Sequence, residues 1–208
     1  MLRNPPRNGP FGRGGRPLVS PPVRTLRRVC VFCGSSDGAD PAVHELAAAL
    51  GKALAAEGIG LVYGGAQIGV MGRVADAVLA AGGEVIGVLP GGLFSREVPH
   101  AGLTELRVVD GMHERKATMY ALSDGFVALP GGYGTLDELF EAATWNQLRL
   151  HEPRKPITLL DTGGFWDPLV ALLDRFEQAG FVKPAGRRII QRADTVGQAL
   201  DNLRTFEF

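Results

Sequence analysis

Residues 130–138, Pro130-Gly131-Gly132-Tyr133-Gly134-Thr135-Leu136-Asp137-Glu138, bring together three glycines, a phenol, an aliphatic hydroxyl and two carboxylates. They follow the apolar run Gly125-Phe126-Val127-Ala128-Leu129, which reads as a buried strand. They lead into Leu136, Leu139, Phe140 and Ala143, apolar at helical spacing. The glycines therefore lie on a strand-to-helix turn. Without Cβ atoms the backbone amides can approach a ligand closely. The helix start adds unpaired N–H groups and a partial positive charge, which suit a phosphate. Thr135 supplies a hydroxyl donor, and Glu138 stands one turn in. This chemistry points to a phosphorylated small molecule and a reaction on it. Leu-Pro-Gly-Gly occurs twice, at 89–92 and 129–132. Only the second continues into Gly-Thr-x-x-Glu and a helix; the first leads into an irregular loop over 90–104 and is assigned no phosphate role.

The elements that must position these residues follow from the apolar pattern. Strands are expected at 29–33, 60–63, 84–89, 106–109, 126–129 and 157–160, with a short one at 189–190. Helices are expected at 41–57, 70–81, 112–123, 135–150, 168–178 and 196–206. Asp40 serves as N-cap of the first helix and Gly58 as its stop. Strands alternating with helices predict an α/β fold: a doubly wound, Rossmann-like parallel sheet with helices on both faces. In such sheets ligands bind beyond the carboxyl ends of the strands, where strand order reverses. Gly34-Ser35-Ser36, Tyr63-Gly64-Gly65 and Pro130-Gly131-Gly132 all follow strands, so they are expected to converge on one edge.

The 208 residues accommodate a Pro/Gly/Arg-rich tail over 1–26, read as disordered, and a single Rossmann-like domain over 27–208. Lys and Arg number 22, as do Asp and Glu. Five of the arginines fall in 1–26 with no acid, leaving 17 bases against 22 acids beyond it. The domain has no basic stripe, which argues against sequence-specific nucleic-acid binding. No run is apolar and long enough for a signal peptide or a membrane span. Cys30 and Cys33 stand at an odd spacing in an apolar strand, so their side chains point to opposite faces. They read as two buried thiols in a reducing cytoplasm. A G-x-G-x-x-G fingerprint and a GxxxxGK[ST] loop are both missing. His44, His100, His113 and His151 show no metal-ligand spacing. Taken alone, Arg115 reads as a surface residue paired with an acid such as Glu114, and Glu138 as a helix-start acid.

Pro130–Glu138 together with Met112-His113-Glu114-Arg115-Lys116-Ala117 resembles the two signatures of the LONELY GUY family, the cytokinin riboside 5′-monophosphate phosphoribohydrolases long mislabelled lysine decarboxylases. Gly34-Ser35-Ser36, Tyr63-Gly64-Gly65 and Gly69-Val70-Met71-Gly72 extend the resemblance over about residues 28–182. It implies an N-glycosyl hydrolase that cleaves an N6-modified adenosine 5′-monophosphate to free base and ribose 5-phosphate, with no cofactor and no metal. Arg115 and Glu138 are then the catalytic pair. Substrate contacts are expected from Gly132, Tyr133, Gly134, Thr135, Leu136 and Asp137, from Gly34, Ser35, Gly64 and Gly65, and from Lys116. Glu97, eighteen residues before Arg115, and Thr144, six after Glu138, stand at matching substrate positions. The resemblance also implies a cytoplasmic homodimer or larger homo-oligomer with shared sites. Two rivals stand beside this reading: a broader AMP or nucleoside 5′-monophosphate glycosidase, and a non-catalytic carrier or sensor of a phosphorylated ligand.

Overall fold

A computed structural model describes residues 23–93 and 98–208. Among the described residues, seven strands form one sheet: β1 (Arg28–Phe32), β2 (Gly60–Tyr63), β3 (Val85–Pro90), β4 (Glu105–Val109), β5 (Gly125–Ala128), β6 (Ile157–Leu160) and β7 (Ile190–Ala193). Every pairing is parallel, and the order is β4-β3-β2-β1-β5-β6-β7. The chain builds outward from β1 to β4, then returns to the other side of β1 with β5. The reversal therefore falls between β1 and β5, where Val29 stands beside both Leu61 and Gly125.

The helices between them are α1 (Pro41–Ala56), α2 (Gly69–Ala80), α3 (Met112–Leu122), α4 (Tyr133–Leu148), α5 (Asp167–Gln178), α6 (Pro184–Arg187) and α7 (Val196–Thr205). Asp40 caps α1, its carboxylate accepting the Ala42 N–H at 2.9 Å, and Pro41 occupies the first turn. The central strands are apolar along their whole length because helices cover both faces. One core gathers Val29, Val31, Leu61, Tyr63 and Val127 under α1, α2 and α7. The other gathers Phe32, Val62, Ile86, Phe126 and Leu159 under α3, α4 and α5. Cys30 belongs to the second core and Cys33 to the first, on opposite faces as their spacing requires. Each fully buried Leu, Ile or Phe here contributes about 1.5–3 kcal/mol through burial.

Three details depart from the expectation. The edge strand β4 is largely exposed, with Leu106 and Val108 open to solvent, because α3 leaves β4 and packs back over β3. Pro90 completes β3 and Gly91–Leu93 forms a single 3-10 turn within the expected loop. The last strand runs to Ala193 and is preceded by the short α6, which carries no amphipathic pattern long enough to read. Most of the expected tail lies outside the described residues, but its final residues pack on the domain. Leu26 is buried, Arg24 N–H donates to the Arg204 carbonyl, and the Arg24 guanidinium donates to the Arg154 carbonyl at 2.9 Å.

Candidate functional site

Four of the loops that follow strands meet at the reversal point. They enclose a cavity of about 620 Å³ beyond the carboxyl ends of β1, β2, β5 and β6. The glycines permit this convergence. Gly69 has a left-handed φ of 60°, and a Cβ there would overlap the Ser35 carbonyl, so the start of α2 presses directly on the β1–α1 loop. A Cβ on Gly131 would overlap the Thr135 hydroxyl and come within 2.9 Å of the Gly34 amide nitrogen. A Cβ on Gly64 would overlap the Arg115 guanidinium.

The floor of the cavity is the start of α4. Gly132 precedes the helix without a side-chain cap, and the first bond across the turn runs from Leu136 N–H to the Gly132 carbonyl at 3.1 Å. The N–H groups just before it therefore face the cavity without intrahelical acceptors. Thr135 is buried, and its hydroxyl has no hydrogen-bond partner among the described residues. Together these donors form a cradle for an oxyanion.

Arg115 enters from α3. Its side chain is only 5% exposed, so it is no ordinary surface arginine. Its Nη2 donates to the Gly64 carbonyl at 3.1 Å. The neighbouring Glu114 closes the start of α3 by accepting the Asp110 N–H at 2.8 Å. Glu138 lines the cavity one turn inside α4. Cys33 lines the same cavity, within electrostatic reach of both. Burial pushes its pKa far above the usual thiol range, the Glu138 charge adds to the rise, and the Arg115 charge opposes it. Burial and the Glu138 charge thus favour the neutral thiol over the thiolate.

Of the residues expected from the sequence, Gly34, Ser35, Gly64, Arg115, Gly132, Tyr133, Gly134, Thr135 and Glu138 line this cavity. Five others lie outside its lining. Gly65 has a left-handed φ of 83° and backs onto β3, with a Cβ position 3.3 Å from Leu89. Leu136 packs against the second core. Lys116 and Asp137 pair with each other at 2.9 Å, and Thr144 is exposed on α4. Glu97 lies outside the described residues.

The structure adds residues that the sequence reading does not assign to the site. Asp37 and Asp40 on the β1–α1 loop face the cavity. The His44 ring hydrogen-bonds to the Asp37 carbonyl at 2.7 Å and ties that loop to α1. Val43, Val70, Met71 and Met112 form an apolar wall. Phe165, half exposed, reaches the cavity from the β6–α5 turn. That turn is held by the buried Asp161 carboxylate, which accepts the N–H groups of Gly164, Phe165 and Trp166 at 2.5, 3.1 and 3.2 Å. The rule that strand-following loops build such sites would have pointed to the turn after β6, but no motif marks it. Among the described residues, no group of three or more His, Cys, Asp or Glu is gathered as for a metal ion.

Comparison with known proteins places this arrangement. Residues 71–203 match the family model described as possible lysine decarboxylase. Over 181 residues the chain is 49% identical to the rice protein named probable cytokinin riboside 5′-monophosphate phosphoribohydrolase LOGL5, covering 87% of this chain and 73% of that one. It is 47% identical over 181 residues to the rice cytokinin riboside 5′-monophosphate phosphoribohydrolase LOG, covering 87% and 74%. Among solved structures, the molybdenum cofactor binding protein of Rippkaea orientalis superimposes with a TM-score of 0.64 at 23% identity, over 85% of this chain and 94% of that one, a likeness of fold. With these long matches spanning both signatures, the chain belongs to the LONELY GUY family of cytokinin riboside 5′-monophosphate phosphoribohydrolases.

Proposed function

We propose that this protein hydrolyses the N-glycosidic bond of an N6-modified adenosine 5′-monophosphate, releasing the free base and ribose 5-phosphate. One observation carries the reading: Arg115 and Glu138 line the same cavity as the oxyanion cradle at the start of α4. The names of the relatives support it.

In this reading the 5′-phosphate sits against the first N–H groups of α4 and the Thr135 hydroxyl. Arg115 is permanently protonated, so it holds the phosphoribosyl group and balances charge rather than shuttling protons. Glycosidic cleavage develops positive charge on the ribose as the base departs. The Glu138 carboxylate stabilises that oxocarbenium-like state or takes a proton from the attacking water. The apolar wall and Phe165 are placed to shelter the base and exclude bulk water.

The remaining assignments belong to the same proposal. Gly34, Ser35 and Gly64 complete the wall of the site, and Tyr133 and Gly134 complete the cradle. The exposed Leu106 and Val108 on β4 support assembly into at least a dimer, since apolar side chains on an edge strand gain from being covered. No helix among the described residues is long and apolar enough to cross a membrane, and the proposed site of action is the cytoplasm.

The test is to incubate the pure protein with isopentenyl-AMP, AMP and isopentenyladenosine and to assay free base. Release from the modified monophosphate is expected to exceed that from AMP and to be nearly lost with the nucleoside. Each missing charge-assisted hydrogen bond costs about 1.5–3 kcal/mol. Equal turnover of AMP selects the broader glycosidase, and tight binding without any release selects the carrier or sensor.

A further inference from the structure

Lys116 stands beside Arg115 in the chain, yet its side chain turns away from the cavity. Its ammonium lies 2.9 Å from the Asp137 carboxylate and 2.8 Å from that of Glu141. Asp137 is the chain neighbour of Glu138, and Glu141 follows Glu138 by three residues on α4. The Lys116 side chain is 10% exposed, while Asp137 is 57% exposed. The crevice that Lys116 borders with Phe32, Tyr120, Glu138 and Glu141 holds only about 10 Å³, room for about one water molecule and not for a phosphate ester.

From this geometry we propose that Lys116 is a positioning residue: it clamps α3 to α4 and so sets Arg115 relative to Glu138. The inference rests on the reading of the site given above. One helix carries the guanidinium and the other carries the carboxylate and the oxyanion cradle. A slide of either helix moves the pair out of register with a substrate held at the start of α4. A lysine with a carboxylate on each side fixes that slide where it matters. At the other end of the helix pair, the Tyr120 hydroxyl donates to Asn146 Oδ1 at 3.1 Å. That second tie is buried and far along both helices, so it holds the fold together without setting the catalytic pair. Burial, the largest single influence, acts to lower the Lys116 pKa, but pairing with Glu141 and Asp137, through hydrogen bonding and charge together, outweighs it and raises the pKa.

Four full-length variants test the clamp: Lys116→Met, Lys116→Arg, Asp137→Asn and Tyr120→Phe. Each is measured for kcat and KM on the monophosphate, for ribose 5-phosphate affinity by calorimetry, and for amide hydrogen exchange over 112–118 and 133–141. Misplacing reacting groups by about 1 Å costs up to about 100-fold. Lys116→Met is therefore expected to lower kcat about 10- to 100-fold. KM and ribose 5-phosphate affinity should stay within about three-fold, and exchange at the facing starts of α3 and α4 should rise. Lys116→Arg should recover most of kcat, and Asp137→Asn, at an exposed partner, should show a weaker loss of the same kind. Tyr120→Phe should lower the melting temperature with little change in kcat. The clamp is overturned if Lys116→Met weakens ribose 5-phosphate tenfold or more, which would make it a ligand contact. It is also overturned if kcat in a folded Lys116→Met stays near wild type, or if exchange is unchanged. A wild type that releases no base refutes the proposed function alone, and the exchange measurement then still decides the clamp.

Discussion

The chain writes Leu-Pro-Gly-Gly twice, and the two copies have different fates. Leu89-Pro90-Gly91-Gly92 ends β3 and turns into the 3-10 turn; both its glycines are exposed, and a Cβ on Gly92 would meet nothing within 4 Å. Leu129-Pro130-Gly131-Gly132 leaves β5 and enters α4; there a Cβ on Gly131 would collide with Thr135 and approach the Gly34 amide. Both copies leave the same edge of the same parallel sheet. The difference is the neighbour. β5 lies beside β1 at the reversal of strand order, where two loops diverge around a cavity, whereas β3 lies between β2 and the exposed β4. Identical residues make a site at one place and an ordinary turn at the other because topology supplies the crevice.

The largest effect is expected downstream of the second copy. Glu138→Gln keeps shape and an acceptor oxygen but removes the charge. It should lower kcat by about 10²–10⁴ while ribose 5-phosphate binding is largely retained, as read by steady-state kinetics and calorimetry. A near wild-type kcat would reduce Glu138 to a helix-start acid and make the two copies alike in having no chemistry. A second, smaller contrast compares the glycines directly. Gly131→Ala should destabilise by about 1–3 kcal/mol through overpacking and weaken ribose 5-phosphate. Gly92→Ala should stay within about 0.5 kcal/mol with unchanged affinity. Paired thermal melts and titrations distinguish them, and equal effects would break the comparison.

The smallest effect concerns the opposite rim of the sheet, which holds the strands behind both copies in line. Arg28 at the start of β1 bonds Glu84, just before β3, across Gly60 at 2.7 and 2.9 Å. The Arg28 hydrogen bond lowers the Glu84 pKa; partial burial opposes this, and the Arg28 charge adds to the lowering. A carboxylate with a depressed folded pKa stabilises the protein above its unfolded value, about 4.3. That contribution is lost as pH falls through the lower folded value. Wild type should therefore lose melting temperature between about pH 5 and pH 3, and Glu84→Gln should flatten that slope slightly. Both groups are more than a third exposed, so screening keeps the change small. An identical slope in the variant would show that the rim pair adds nothing.

Much of this was legible from one sequence. Strand and helix identities followed from apolar period, the Asp40 cap from its position before Pro41, and the opposite orientations of Cys30 and Cys33 from their odd spacing. Arg115, Glu138 and the glycine turns followed from motif and resemblance, and the structure brings them to one cavity. Lys116 and Asp137 could not be sorted from their neighbours, because adjacent residues on a helix point about 100° apart and only packing shows which direction holds the ligand. Phe165 was hidden for a related reason: its place depends on the buried Asp161 gathering three amides of its own turn, an arrangement with no sequence period.

Local chemistry, then, was determined by the sequence itself: where backbone amides lie bare, which helix begins with a carboxylate one turn in, and which strands are apolar on both faces. These depend on steric and hydrogen-bonding preferences that act over a few residues. Which of the two Leu-Pro-Gly-Gly turns faces a cavity, which of Arg115 and Lys116 points into it, and which strand is left exposed at the edge were decided only by the tertiary structure. Those outcomes depend on strand order and helix contacts between residues far apart in the chain, where no local pattern carries the information.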